Sequence, residues 1–264
     1  MNTHKFFTLV MMTILITMLI VGCSAPAAAP TPISPTATPT PVPFTATPEP
    51  TSTPTQTPVL IPTLMPPVSQ ILEGATILFF DPFDELSPER WKFTDDMVKV
   101  SEGVVEIQGK SSWATDLIRS ASEIEAGKGV IVLFKYMEGT LFSIGLLHGE
   151  WGTTESRLFG FTHPFPTGFL VDSWQGTSEL TRGASASGNF DFRSGTWYGI
   201  VIVVDQDGKM KFVVWDSENP SKQRIFRHVF SDQWYDLDWR LWVNGDKGSV
   251  YIDDYMEISF DKIK

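Results

Sequence analysis

The sequence predicts an all-β domain, an antiparallel β-sandwich, in the C-terminal part of a 264-residue chain. Short runs rich in β-branched and aromatic residues follow one another from Gly129, each bounded by Gly, Asp, Asn or Pro, which is typical of strands and turns. Few segments show the 3.6-residue period of an amphipathic helix. All nine tryptophans lie between residues 71 and 264, so this region has the side chains for a large core.

The predicted strands are short and joined by turn sequences. They are Gly129–Met137, Leu141–His148, Arg157–His163, Gly168–Trp174, Trp197–Val204, Lys209–Trp215, Arg240–Val243, Ser249–Asp253 and Tyr255–Phe260. The clearest hairpin joins Trp197–Val204 to Lys209–Trp215 through the turn residues 205–208. A second turn, residues 244–248, joins the next two strands in the same way.

The N-terminus has the pattern of a secretory signal. Lys5 precedes an apolar run that starts at Phe6 and ends in Ile-Val-Gly-Cys at Cys23, too short for a comfortable membrane span. This ending resembles the lipobox of bacterial lipoproteins, which implies that residues 1–22 are a signal peptide and that a lipidated Cys23 becomes the first mature residue. The chain would then be extracytoplasmic, anchored by lipid to a bacterial membrane. A buried free thiol and an uncleaved anchor helix are the alternatives.

Residues 23–70 are predicted to be a disordered tether. After Cys23, proline alternates with Thr, Ser and Ala, and Glu49 is the only charged residue. Proline removes backbone donors, and the segment offers too few apolar groups to offset the entropy of ordering the chain. Residues 71–264 are therefore predicted to be the folded domain. A second cysteine is missing from the chain, so an internal disulfide cannot stabilise it.

The charge of the chain restricts its partners. The formal net charge is −11 at pH 7, and nearly all charged residues belong to the predicted domain. Nucleic acids and anionic lipid surfaces are polyanions and are repelled by such a domain. The sequence therefore predicts no nucleic-acid partner.

Three segments of the domain carry a family resemblance. They are Leu78–Asp84 followed by Leu86 and Trp91, Gly195–Tyr198 leading to Asp207–Lys209, and Gly248–Asp254. Together they resemble concanavalin A-like lectin/glucanase jelly rolls, a broad group that includes laminin-G-like and 3-keto-disaccharide-hydrolase-like domains. The resemblance covers essentially all of residues 71–264. It implies a jelly roll whose first and last strands lie side by side and whose concave sheet carries the ligand groove.

Catalytic and metal sites are not predicted. Catalytic members of this fold place acids on one strand as Glu-x-Asp-x-x-Glu, and the nearest match, Glu123–Lys128, has the wrong second acid and lacks the third. The histidines of the domain show no close metal-binding spacing. Asp205, Asp207, Asp253 and Asp254 supply oxygen ligands suited to calcium, yet turn chemistry explains the first two as well. We expect no cofactor, with a structural calcium ion as the open alternative.

The candidate binding residues lie in the central segment of the domain. Trp174 and Asp172 alternate onto one face of their strand, and Trp151 lies in a Gly-bounded turn. An indole beside polar groups suits a sugar, which has apolar faces and polar edges. The remaining candidates in the same segment are His148, Arg157 and His163. The alternative is that Trp151 and Trp174 fill the core, as is expected of Trp91, Trp197, Trp215 and Trp242.

The sequence leaves three functional hypotheses. The preferred one is a non-catalytic carbohydrate-binding or adhesion module that a lipid and a stalk hold at the cell surface or the periplasmic face. A divergent glycoside hydrolase of the concanavalin A-like fold, with acids assembled from separate strands, is the second. The third is a structural envelope lipoprotein that binds only protein partners.

Overall fold

Two antiparallel β-sheets face each other in the computed structural model of the chain. The structure describes residues 63–120, 123–163, 169–182, 185–187, 191–206, 209–229, 234 and 237–264. They all fall within one unit of the chain, Thr57–Lys264. Cys23 and the predicted signal peptide lie outside the described residues, as do Asp207 and most of the predicted tether. No helix in the described part of the chain is long and apolar enough to cross a membrane.

The described residues form one short helix and many strands. The helix is α1 (Pro66–Ile71). The strands are β1 (Leu72–Glu73), β2 (Thr76–Asp81), β3 (Trp91–Phe93), β4 (Val98–Ser101), β5 (Val104–Gln108), β6 (Thr115–Arg119), β7 (Lys128–Tyr136), β8 (Leu141–His148), β9 (Arg157–His163), β10 (Leu170–Gln175), β11 (Ser178–Arg182), β12 (Ser185–Ser187), β13 (Trp197–Val204), β14 (Lys209–Asp216), β15 (Gln223–Val229), β16 (Arg240–Lys247), β17 (Ser249–Ser259) and β18 (Lys262–Ile263).

The strand order is that of a sandwich with many crossovers. Within the described residues, the seven-stranded sheet has the order β11-β10-β9-β8-β16-β6-β3. The nine-stranded sheet has the order β12-β15-β14-β13-β7-β17-β5-β4, and β2 also pairs with β17. A separate two-stranded sheet joins β1 to β18. The expectation that the two ends of the domain lie side by side is therefore confirmed.

Alternation along the strands separates the core from the outer faces. On β13, Ile200 and Ile202 point into the core between the sheets, whereas Val201 and Val203 belong to a second apolar cluster on the outer face of the nine-stranded sheet. Helix α1 covers this outer cluster, and its Val68 is fully buried. The packed region thus includes residues that the sequence pattern assigns to the tether.

The β-sandwich and the nine predicted strand segments are found in the structure. The hairpin of β13 and β14 has the expected antiparallel register. Two predicted strands, Ser249–Asp253 and Tyr255–Phe260, are in fact one strand, β17, interrupted by a bulge between Asp253 and Met256. The sequence pattern did not reveal β1 to β6, β11, β12, β15 or β18. The shortest of them, such as Trp91–Phe93 and Ser185–Ser187, contain too few residues to show alternation.

The tryptophans expected in the core are mostly buried. Trp91, Trp215 and Trp242 are at most 2% exposed, as predicted. Trp197 is partly exposed instead, and the ammonium of Lys135 lies 4.7 Å from the centre of its ring. Trp197 starts β13 on the outer side of the nine-stranded sheet and does not belong to the apolar cluster that α1 covers.

A buried carboxylate organises the first turn of the domain. Asp81 accepts hydrogen bonds from the Trp91 indole at 2.9 Å and from the Phe83 amide at 3.0 Å. The guanidinium of Arg90 lies 3.2 Å away. Phe83 has a φ of 57°, a backbone conformation that a bulky residue adopts only when its surroundings hold it there. Asp81 therefore ties this strained turn to the core.

Candidate ligand-binding groove

A row of polar side chains crosses the outer face of the seven-stranded sheet. The pairing register aligns Asp116, Asn244, Ser143 and Thr162 on four neighbouring strands, and we call these residues the polar row. Asn244 Nδ2 donates to Asp116 Oδ1 at 2.6 Å, and the hydroxyls of Ser143 and Thr162 are 2.9 Å apart. The row is largely buried and hydrogen-bonded, so its side chains are held in fixed positions.

Asp172 extends this polar surface onto β10. The Thr162 hydroxyl donates to Asp172 Oδ1 at 3.1 Å. Asp172 pairs in register with Gly160, which lies beneath the carboxylate. A Cβ at Gly160 would stand 2.6 Å from Ser143 Oγ and 3.1 Å from Asp172 Oδ1, so only glycine leaves room for this cluster.

Three indoles lie beside the polar side chains, and we call Trp151, Trp174 and Trp242 the indole cluster. The ring of Trp151 is 5.7 Å from that of Trp242 and meets that of Trp174 edge to face at 6.3 Å. Trp242 is buried, and its Nε1 donates to Asp116 Oδ1 at 2.9 Å. Trp151 and Trp174 are only partly buried, so each exposes part of its indole to solvent.

The groove has two compartments on this face. The aromatic compartment has a volume of about 240 Å³, and its lining includes the indole cluster, Trp113, Thr162 and Asp172. The charged compartment has a volume of about 400 Å³, and its lining includes Lys92, Asp116, Glu150, Trp151, Leu147 and Arg240. Trp151 borders both compartments.

The structure brings together three of the candidates predicted from the sequence. Trp174, Trp151 and Asp172 all line the aromatic compartment. Strand alternation predicted that Asp172 and Trp174 share one face of β10 and that Val171 faces the other way. The structure confirms this, because Val171 lies in the core between the sheets. Asp172 is 5% exposed, so its carboxylate forms part of the floor of the compartment.

The other three candidates lie on the opposite side of the same sheet. His148 Nδ1 is 2.9 Å from the carbonyl of Asp238, and its ring meets the edge of buried Trp239. The guanidinium of Arg157 lies over the ring of Trp234. Their strand neighbours Leu147 and Leu158 face the groove, and adjacent residues of a strand point to opposite faces.

His163 is placed in the same way. Its ring lies among the core rings of Tyr136 and Phe142, and its Nδ1 is 2.7 Å from the carbonyl of Thr140. We therefore leave His148, Arg157 and His163 out of the candidate site.

Several groove residues were not found from the sequence. They are Lys92, Trp113, Asp116 and Arg240, together with Asn244 of the polar row, and Trp242 was assigned to the core. The pattern Arg240, Trp242, Asn244 places two polar groups and an indole on one face of β16, which is a signal that sequence reasoning could have used. Trp113 carried no such signal, because its position depends on a left-handed backbone at Ser112 and Trp113.

Three of the four calcium candidates, Asp205, Asp253 and Asp254, lie in the part of the chain that the structure describes, and Asp207 lies outside it. Among the described residues, no group of three or more His, Cys, Asp or Glu side chains is placed to hold a metal ion. Asp205 accepts a hydrogen bond from the Gln206 amide, as turn residues do. Asp253 and Asp254 lie at the bulge of β17, where the Asp254 amide donates to the Asp253 carboxylate.

Replacing Asp254 with Asn is expected to raise the melting temperature near neutral pH. Burial, and then the negative charge of Asp253, raise the pKa of Asp254 above its ordinary value of 3.8. The folded protein then holds this proton more tightly than the unfolded chain, so stability falls as the pH rises from 3.8 through the raised pKa. Asn is never charged and also tolerates the φ of 49° at this position.

Melting curves of wild type and Asp254→Asn, near neutral pH and well below pH 3.8, measure this effect. We expect the advantage of the variant to disappear in acid, where wild-type Asp254 is protonated in both states. The melts are repeated with calcium and with a chelator. A variant that melts below wild type only when calcium is present would contradict the expectation and point to a bound ion.

Comparisons with known proteins give a fold. The sequence matches no protein-family model and no curated protein. A solved structure of the endo-acting O-glycanases that prominent members of the human gut microbiota express to initiate mucin breakdown matches with a TM-score of 0.52. The identity is 11%, over 70% of this chain and 100% of that chain.

Two further solved structures have lower scores. The potassium-bound carbohydrate recognition domain of Emp46p has a TM-score of 0.49 and 14% identity, over 70% of this chain and 96% of that chain. Lectin I-B4 from Griffonia simplicifolia has a TM-score of 0.47 and 11% identity, over 70% of this chain and 99% of that chain. The chain has the concanavalin A-like jelly-roll fold that its sequence motifs predict.

Proposed function

We propose that the chain is a bacterial surface lipoprotein whose β-sandwich binds a glycan in the groove of the seven-stranded sheet without cleaving it. The observation that carries the proposal is the aromatic compartment, where exposed indole surface lies beside fixed polar groups. Pyranose rings have apolar C–H faces that stack on indoles and hydroxyl edges that need hydrogen-bond partners. The likeness to the O-glycanase structure concerns the fold and adds no residue to the site.

The spacing of carboxylates supports a non-catalytic role. Asp116 on β6 and Asp172 on β10 are the acids of described strands that line the two compartments. Four strand spacings of about 4.8 Å separate β6 from β10, which amounts to about 19 Å between the strands. Glycosidases need two carboxyl groups about 5 to 9.5 Å apart, on either side of the scissile bond.

A second candidate function, a divergent glycoside hydrolase, is favoured by one observation. Asp116, on a strand, and Glu150, in a turn, both line the charged compartment. Incubating bound oligosaccharides with the full-length chain and measuring reducing ends separates the two functions. New reducing ends that Glu150→Gln abolishes would establish the hydrolase and refute the non-catalytic proposal.

The position of α1 supports presentation on a tether. The helix covers the outer face of the nine-stranded sheet, and the groove lies on the outer face of the other sheet. Residues 63–71 therefore enter the domain on the side opposite the groove. A tether attached there leaves the groove accessible to a ligand.

Replacing Cys23 with Ser is expected to abolish acylation and release the chain from the membrane fraction. The thiol is the group that receives the lipid, and multiple acyl chains are needed for stable anchoring. Metabolic labelling with a fatty acid and detergent partitioning of wild type and Cys23→Ser measure both effects. Unlabelled wild type, or a variant that partitions as wild type does, would contradict the lipoprotein proposal.

A glycan array probed with the full-length chain tests the binding function. We expect a set of related neutral glycans to bind wild type. Binding of a protein partner from the cell envelope, together with an array on which no glycan binds, would instead establish the structural lipoprotein and refute the glycan proposal.

A further inference from the structure

The charged compartment is a cavity that remains unfilled when a sugar ring stacks on the indoles of the aromatic compartment. We infer that it is a second sugar subsite, so that the groove takes a neutral, unbranched oligosaccharide of at least two units that passes Trp151. The inference rests on the proposed glycan-binding function and names the ligand class for that site. It differs from recognition of a single terminal sugar, which needs only one compartment.

The volumes favour two units rather than one. The aromatic compartment, about 240 Å³, has the volume of roughly eight water molecules in the liquid, which suits one pyranose ring with its hydroxyls. The charged compartment, about 400 Å³, is larger. Because Trp151 borders both, a chain that stacks on one side of this indole continues into the other compartment.

The lining of the charged compartment is suited to hydroxyl groups. Lys92 and Arg240 supply hydrogen-bond donors only, whereas the carboxylates of Asp116 and Glu150 supply acceptors. A sugar hydroxyl donates and accepts at the same time, so neighbouring hydroxyls of one ring can bridge a cation and a carboxylate. These bonds to charged groups are stronger than bonds between neutral groups.

Two of these side chains are held in place. Arg240 Nη2 donates to the carbonyl of Gly149, in the turn that carries Trp151. Asp116 Oδ1 accepts from Trp242 and from Asn244, whereas no described residue donates to Asp116 Oδ2. Fixed donors and acceptors lose little entropy when a ligand binds, so they contribute to affinity.

The charges of the compartment point to a neutral ligand. Its two cations are matched by two carboxylates, so the lining carries no formal excess of either sign. The whole chain has a net charge of −11, which disfavours the approach of an acidic glycan. A uronic-acid chain would also bring its carboxylates near those of Asp116 and Glu150.

The test is a length series measured by titration calorimetry on the full-length chain. The probes are gluco-, manno- and galacto-oligosaccharides of one to six units, and oligogalacturonates as the acidic counterpart of the galacto series. We expect at least one neutral series to bind, with affinity rising about tenfold or more from the monosaccharide to the tetrasaccharide as charged hydrogen bonds are added.

Variants separate the two compartments. Arg240→Gln and Lys92→Gln are expected to lower tetrasaccharide affinity, by about tenfold for the arginine, and to lower monosaccharide affinity by a smaller factor. Trp174→Ala is expected to lower both affinities. Lys92 is exposed and forms no hydrogen bond or ion pair with the described residues of the Trp151 turn, so Lys92→Gln controls for movement of that turn in Arg240→Gln. Arg193→Gln, at an exposed arginine outside both compartments, is the matched control.

The outcomes distinguish this inference from the proposed function. A monosaccharide that binds as tightly as the tetrasaccharide would overturn the second subsite and leave glycan binding intact. Tighter binding of oligogalacturonates than of neutral galacto-oligosaccharides would overturn the neutral class. If no probe of either kind binds, the proposed function itself fails.

Discussion

Replacing Asp81 with Ala is expected to lower the free energy of unfolding by about 3 kcal/mol or more, because two buried donors lose their acceptor. Those donors are the indole Nε1 of Trp91 and the amide of Phe83, which both bond to the Asp81 carboxylate. The nearby Arg90 would lose its ion pair as well. The strained backbone of Phe83 would no longer be held, which adds to the loss.

Urea denaturation of wild type, Asp81→Ala and Asp81→Asn measures this effect. Asn keeps one acceptor oxygen, so the loss is expected to be smaller than with Ala. Asp84→Ala is the matched control, since Asp84 is exposed three residues away and should change stability by no more than about 0.5 kcal/mol. Equal stability of Asp81→Ala and Asp84→Ala would show that the buried network does not stabilise the domain.

Replacing Trp174 with Ala is expected to weaken glycan binding by about 1 to 3 kcal/mol, the free energy of burying a large apolar side chain. Trp174 exposes part of its indole to the aromatic compartment, so a sugar ring can cover it. The same change should cost little folding stability, because the side chain is not fully enclosed. Trp151→Ala is expected to behave similarly, since Trp151 borders both compartments.

Calorimetric titration with the best-binding neutral tetrasaccharide, combined with thermal melts, separates a site residue from a core residue. Trp242→Ala is the informative control, because Trp242 is 2% exposed and its truncation should destabilise the fold by about 3 to 5 kcal/mol. If Trp174→Ala and Trp151→Ala shift the melts as much as Trp242→Ala does, both indoles act as core. Unchanged affinity in folded variants would equally refute their assignment to the site.

The candidate site could be predicted from sequence only where one strand carries the information. Asp172 and Trp174 are two residues apart, so alternation alone places them on a common face. The same rule, applied to β8 and β9, would have sent His148, Arg157 and His163 to the opposite face. Grouping these three with the indoles relied on closeness in sequence, which says little about which face of a sheet a side chain occupies.

The charged compartment of the groove is formed by segments that lie far apart in the sequence. Asp116 accepts hydrogen bonds from the indole of Trp242, 126 residues later in the chain, and from the amide of Asn244, 128 residues later. Lys92 and Arg240 meet the same compartment because β3, β6 and β16 are neighbours in the sheet. No local pattern encodes that order of strands.

The sequence by itself determined the all-β class, the central strands and the burial of Trp91, Trp215 and Trp242, because period, turn residues and side-chain size act within a few residues. Only the tertiary structure decided which polar groups face the indoles. Strand order and register bring residues from six strands onto one face, and they result from packing of the two sheets as a whole. For the same reason Val68, in a segment that its composition assigns to the tether, is fully buried where α1 packs on the nine-stranded sheet.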